Sequence, residues 1–213
     1  MSNEKVLTTK ETFDLAVKNH QKNNIKEAQN LYNKILGIDP NYVNAHNNLG
    51  VIFQGLREYQ KAKECYEKAI KINPNYADAY YNLGVIFKEL SDLQKAKECF
   101  EKTIKINPNY VNAHNNLGVI FKELSDLQKA KECFEKTIKI NPNYVNAHNN
   151  LGTIFIGLKE YQKAKEYYEK AIEINPNYTD AHNNLGILFK ELKNYQKAKE
   201  CYEKAIEINP SHT

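Results

Sequence analysis

Tryptophan is absent from this 213-residue sequence, methionine occurs only as Met1, and Arg57 is the single arginine among 30 basic residues. No apolar run exceeds a few residues, which excludes a helix of about 20 apolar residues crossing a bilayer. The residues after Met1 lead into no apolar segment, so an ordinary secretory signal is not expected. A dominant charge of one sign is missing too. The 30 basic and 26 acidic residues leave a net charge of +4, too balanced to argue for nucleic acid or a polybasic membrane patch. The four cysteines form no CxxC motif, so a thiolate zinc site is not expected. The eight glycines are isolated from one another, which leaves no glycine-rich phosphate loop.

Asparagine and tyrosine are abundant instead, with 29 and 15 copies. A compositional bias toward Asn, Lys, Ile and Tyr accounts for this as readily as function does, so any argument from asparagine must rest on spacing. The 41% apolar and 26% charged residues suit a folded chain rather than a disordered one.

Spacing decides the fold class. Pro40, Pro74, Pro108, Pro142, Pro176 and Pro210 are the only prolines, and each lies 34 residues from the next. Leu49-Gly50, Leu83-Gly84, Leu117-Gly118, Leu151-Gly152 and Leu185-Gly186 keep the same period. A 34-residue period signals a helical solenoid. Six units follow: 9–42, 43–76, 77–110, 111–144, 145–178 and 179–212, after a short lead-in over 1–8. We read 9–213 as a single domain.

Each unit carries two apolar stripes of helical period. In 77–110 they are Ala79, Leu83, Ile86 and Phe87, then Leu93, Ala96, Cys99, Phe100, Ile104 and Ile106. Ser91-Asp92 marks the turn between them, and Pro108 cannot extend the second helix. Thr8 with Glu11 predicts a capping box. The glycines of the Leu-Gly pairs are expected where paired helices cross closely, with Ala62, Ala96, Ala130, Ala164 and Ala198 as the small facing residues. The spacing of glutamates and lysines predicts ion pairs Glu64–Lys68 and Glu67–Lys71 on an outer face.

In unit 77–110, Leu83, Gly84, Phe87, Ala96, Phe100 and Pro108 resemble the tetratricopeptide repeat (TPR) pattern. Thr103 departs from the alanine usual there, and Arg57, Ser91, Ser125, Lys159 and Lys193 replace the usual turn glycine. The resemblance implies an all-α, right-handed superhelical solenoid of twelve antiparallel helices whose first helices line a concave face. The Asn-Ala-His-Asn-Asn-Leu-Gly units look similar to the TPR arm of O-linked GlcNAc transferase-like proteins, where the matching asparagines grip substrate peptide. That implies a peptide-binding role for Asn48, Asn82, Asn116, Asn150 and Asn184. The catalytic domain of such transferases has no counterpart here.

Amides at regular steps offer donors and acceptors to an extended backbone. The competing reading is that these asparagines help adjacent helices pack. Asn47, Tyr81, Asn115, Asn149 and Asn183 are expected beside them in the groove, then Val51, Val85, Val119, Thr153 and Ile187, then a mildly basic rim that includes Lys88, Lys122 and Lys190. His46, His114, His148 and His182 recur at one position and are expected to fill space and hydrogen-bond across the stack. Neither a cofactor nor a metal is expected, nor catalysis, since no nucleophile is paired with a base.

The expected function is therefore a non-catalytic scaffold binding an extended peptide segment of a partner protein, in the cytoplasm given the reduced thiols. The alternatives are a substrate-recognition arm of a glycosyltransferase-type protein and a self-assembling structural module. The latter is motivated by units 77–110 and 111–144 agreeing at 30 of 34 positions. Finally, the last unit keeps the interior apolar pattern with no residues left for a capping helix. An open surface around Tyr202, Ala205 and Ile206 is expected, and with it a two-fold homodimer.

Overall fold

The computed structural model describes residues 7–210. Twelve α-helices follow one another: α1 (Thr9–Gln21), α2 (Ile25–Ile38), α3 (Val43–Gly55), α4 (Tyr59–Ile72), α5 (Ala77–Glu89) and α6 (Leu93–Ile106), then α7 (Val111–Glu123), α8 (Leu127–Ile140), α9 (Val145–Gly157), α10 (Tyr161–Ile174), α11 (Thr179–Glu191) and α12 (Tyr195–Ile208). No strand occurs among the described residues. The expected capping box is present: the Glu11 amide donates to Thr8 Oγ1 at 3.2 Å, and the Thr8 amide donates to Glu11 Oε2 at 2.8 Å.

Two kinds of turn set the repeat. Between the paired helices, one residue enters the left-handed region: Asn23, Arg57, Ser91, Ser125, Lys159 and Lys193 have φ between 58° and 61°. This is the position where the sequence lacks glycine. The turn keeps its shape, and the side chains there carry the backbone strain that glycine would avoid. Between repeats, an asparagine or aspartate before proline folds its side chain over the turn. Asn73 Oδ1 accepts from the Asn75 amide at 3.0 Å, and Asp39 Oδ1 does the same for Asn41.

The helices group into two compact units divided between Pro108 and Asn109. In the first, α1–α6, each odd-numbered helix packs along the helix that follows it, and α2 and α4 pack on α3 and α5. In the second, α7–α12, the same order recurs, with α8 on α9 and α10 on α11. Neighbouring odd helices also meet: α3 with α5, α7 with α9, and α9 with α11.

From α3 onward, the core of each pair is an aromatic ring laid against a glycine. Tyr66, Phe100, Phe134 and Tyr168 are buried, and a methyl built on Gly50, Gly84, Gly118 or Gly152 would collide with the matching ring. Ala62, Ala96, Ala130, Ala164 and Ala198 are buried in the same pairs, and the atoms nearest to a methyl on the glycine belong chiefly to the ring of the following helix. The surface pairing also differs from the expected one. Lys63 pairs with Glu67 at 3.8 Å, while Glu64 accepts from Gln60 at 3.0 Å. Such exposed pairs add little stability.

Asparagine rungs on the first-helix faces

Asn48, Asn82, Asn116, Asn150 and Asn184 each precede the Leu-Gly pair of an odd-numbered helix, and all five are half-buried. Each of these side chains has at least one partner within the protein. Asn82 Nδ2 donates across to α3, to Asn47 Oδ1 at 3.0 Å. In the second unit Asn184 Nδ2 donates to Asn149 Oδ1 at 2.9 Å. Asn48, with Phe13 at the matching position of α1, donates instead to the Tyr32 hydroxyl at 3.1 Å and accepts weakly from Asn47 Nδ2 at 3.3 Å. Asn150 behaves differently, its Oδ1 accepting from Lys122 Nζ at 3.1 Å.

Three of the neighbouring positions, Asn47, Asn115 and Asn149, are buried rather than open to the groove as the sequence suggested. Asn47 and Asn115 are 6% exposed and Asn149 is 8% exposed. They sit between adjacent odd helices, where an amide that accepts from the next helix is worth more than one left to solvent. Tyr81 and Asn183 at the same position are half-buried, the Tyr81 ring tilted against Phe100 at 5.7 Å. Past the rungs, Val51 and Ile187 are exposed, so apolar surface does lie beside the amides. Lys88 and Lys122 are half-buried and Lys190 is exposed.

Sequence reasoning missed this amide-to-amide pairing. Its signal is the recurring Asn-Asn doublet, whose first member receives what the second member of the following repeat donates, 35 residues on.

The histidines reach a different partner from that of the rungs. Nε2 of His46, His148 and His182 lies 2.8–2.9 Å from the carbonyl of Pro40, Pro142 and Pro176. Each ring thus ties an odd helix to the turn that leads into it. The carbonyl can only accept, so neutral His148 carries its proton on Nε2. Its buried Nδ1 has no partner. An open cleft of about 380 Å³ lies there, lined by His148, Lys163, Glu166, Tyr167 and Lys170. Tyr167 stands where other repeats carry cysteine and stacks on Phe155 at 5.3 Å.

All four cysteines are free thiols. Burial, with smaller contributions from nearby charges, pushes Cys65 up to about 11 and Cys99 up to about 12, so neither is a thiolate near neutral pH. Among the described residues, no cluster of three or more His, Cys, Asp or Glu side chains could hold a metal ion. No described helix is long and apolar enough to cross a membrane.

On α12, Ile206 is 51% exposed and Tyr202 half-buried, while Ala205 is 4% exposed. Ala205 therefore lies outside the open surface expected there. Its short side chain is covered within the α11–α12 pair.

Helix pairs repeating every 34 residues, joined by a left-handed turn and sealed by a ring over a glycine, define a helical repeat protein. The chain belongs to the tetratricopeptide repeat family, which matches residues 43–76, 77–110, 111–144, 145–178 and 179–212. The α1–α2 pair precedes the matched repeats. It keeps the architecture with Ala16 in place of the glycine and Ile35 in place of the small residue near the end of the second helix. Solved structures agree on the fold. PilF of Pseudomonas aeruginosa aligns with a TM-score of 0.85 at 23% identity, over 95% of this chain and 92% of its own. YrrB, a TPR protein with an unusual peptide-binding site, aligns at 0.70 and 23% identity, over 85% and 93%. A MamA protein aligns at 0.68 and 28% identity, over 79% and 92%. No curated protein matches the sequence.

Proposed function

We propose that residues 9–213 act as one non-catalytic scaffold domain that holds an extended segment of a partner protein along the first-helix faces. The observation that carries this reading is the way the rungs are wired. Asn82 and Asn184 each spend one amide hydrogen on the neighbouring helix, which fixes the side chain and leaves the other hydrogen and Oδ1 for a ligand. A fixed amide costs less entropy to engage than a mobile one, and a peptide backbone offers complementary groups at regular intervals. The exposed Val51 and Ile187 add apolar contact beside the rungs. YrrB, similar in fold, supports the reading as a TPR protein with a peptide-binding site. The four thiols suit the cytoplasm.

Selection from a display library of random dodecapeptides tests it. Wild-type protein should enrich peptides that lose binding when Asn82 and Asn184 are both changed to Ala. Peptides that bind the double variant equally well would refute the groove.

A second reading rests on α12: two copies associating through that helix. In the preceding pair, α10 is packed by α11 and its Ile172 is half-buried, whereas the matching Ile206 is 51% exposed. A second copy would supply the missing neighbour.

A further inference from the structure

The rung between α7 and α9 is broken. At the α3–α5 and α9–α11 rungs, the asparagine before Leu-Gly donates to the buried asparagine on the previous odd helix. At α7–α9 the equivalent acceptor, Asn115 Oδ1, is buried and has no partner. Asn115 is 6% exposed, so water does not readily replace the missing donor. The side chain that should supply it, Asn150, has its Oδ1 on Lys122 Nζ at 3.1 Å.

The sequence explains why only this rung is affected. Asn115 and Lys122 are seven residues apart, two turns along one face of α7, and Asn150 on α9 meets Lys122 through Oδ1 without bringing Nδ2 to Asn115. The residue seven past Asn47 is Gln54, which accepts from the Tyr66 hydroxyl at 2.8 Å. The residue seven past Asn149 is Ile156, which offers nothing to Asn184. Lys88 follows Tyr81, which is not an amide. Asn115, Lys122 and Asn150 are the one set in which a lysine competes with a buried amide for the rung asparagine.

We propose that this rung selects an acidic group on the bound peptide, with Asn150 as a two-position relay. A carboxylate from an aspartate or glutamate side chain takes Lys122 as its ion-pair partner. Lys122 then releases Asn150, whose Nδ2 swings to Asn115 Oδ1 and closes the rung as its two counterparts are closed. Binding gains twice: a charge-assisted contact forms, and a buried acceptor acquires its donor. This rests on the groove reading and adds to it a position and a ligand chemistry.

Two experiments test the relay. Without any ligand, Lys122→Met should let Asn150 close the rung. Hydrogen exchange of the Asn150 side-chain amide, followed by NMR, should slow by about tenfold, the protection expected from one buried hydrogen bond. Unchanged exchange overturns the relay. With ligand, dodecapeptides selected by the wild-type protein from a random display library should share an acidic residue at one register. Replacing it by its amide should weaken binding about tenfold for wild type and not at all for Lys122→Met. Asn115→Leu, which removes the orphaned acceptor, should shrink that ratio although Lys122 is intact. A full ratio in Asn115→Leu reduces the site to a plain ion pair and overturns the relay. Selected peptides without acidic preference overturn this inference and leave the groove standing. A library that yields no binders at all overturns both.

Discussion

Gly84 lies against the ring of Phe100 so closely that a methyl on its α-carbon would come 2.7 Å from Cε1. That contact sets how near α5 and α6 approach. The ring is fully buried, in an interior packed too closely for it to shift without cost. Gly84→Ala should therefore destabilise the protein, by about 1–3 kcal/mol. Gly37 is the control. It is helical, in α2, and a methyl there meets nothing within 4 Å. Gly37→Ala should stabilise by about 0.5–1 kcal/mol through helix propensity. Urea unfolding followed by circular dichroism reads both. A destabilising Gly37→Ala would undo the argument that the ring, rather than the helix backbone, demands glycine at position 84.

The turns inside the pairs offer the opposite substitution. Lys159 holds φ at 58° and Lys193 likewise, where a side chain crowds its own backbone. Lys159→Gly should raise stability by about 1 kcal/mol. Asn23, at φ 61°, tolerates this region better, so Asn23→Gly should gain less. Thermal unfolding of the two variants side by side checks the order. An equal gain at both sites would mean that the left-handed strain is not what the substitution relieves.

The period, the helix count and the turn positions were legible in the sequence because a repeat shows each constraint five or six times over. Pro108 and Ser91 locate their turns without any tertiary information. What was not legible depends on which neighbour meets which across the stack. The ring closest to the open face of Gly84 is that of Phe100, and helix crossing geometry, not residue size, selects it. Asn47 was read as groove surface, although it is buried and accepts from Asn82. Periodicity places both asparagines of a doublet on one side of the helix, and about 100° of rotation separates the buried one from the half-buried one. Asn115 could not be singled out by pattern at all. Its distinction comes from Lys122 drawing Asn150 away, an event between helices 28 residues apart.

Alkaline stability provides a test of how the second helices are buried. Cys99 is raised from an ordinary 9.0 to about 12, by burial first and then by the Glu98 charge. Burial also raises the Tyr66 and Tyr168 hydroxyls. In the unfolded chain these groups lose their protons near their ordinary values, while the folded chain retains them. Between about pH 9 and about pH 12 the folded state therefore binds more protons, and stability falls as pH rises. Below pH 9 this contribution is fully present. Urea midpoints measured from about pH 8 to about pH 11 should decline, and Cys99→Val should make the decline shallower. An unchanged slope in Cys99→Val would show that the thiol does not carry its share.

The exposed part of α12 leads to the last expectation. Ile206 is 51% exposed and Tyr195 at the start of α12 66%, whereas Leu192 in the turn, at 46%, is no more exposed than Leu56, Leu90 or Leu124 in the earlier repeats. Apolar side chains of this size on one helix favour association over solvent. In the adjacent pair the corresponding Ile172 and Tyr161 are half-buried, so the sequence pattern of α12 is that of a helix with a neighbour. Sedimentation velocity over a range of concentrations should show this chain passing from monomer to dimer. Ile206→Glu should shift that transition to higher concentration, because a charge would have to be buried at the contact. The same change should leave unfolding of α1–α6 untouched, since coupling in a repeat array runs mainly between neighbours. Leu15, 37% exposed on α1, serves as the comparison. Leu15→Glu should not alter a two-fold contact made by α12 alone. If it weakens association as much as Ile206→Glu does, the copies join head to tail, and the two-fold arrangement is wrong.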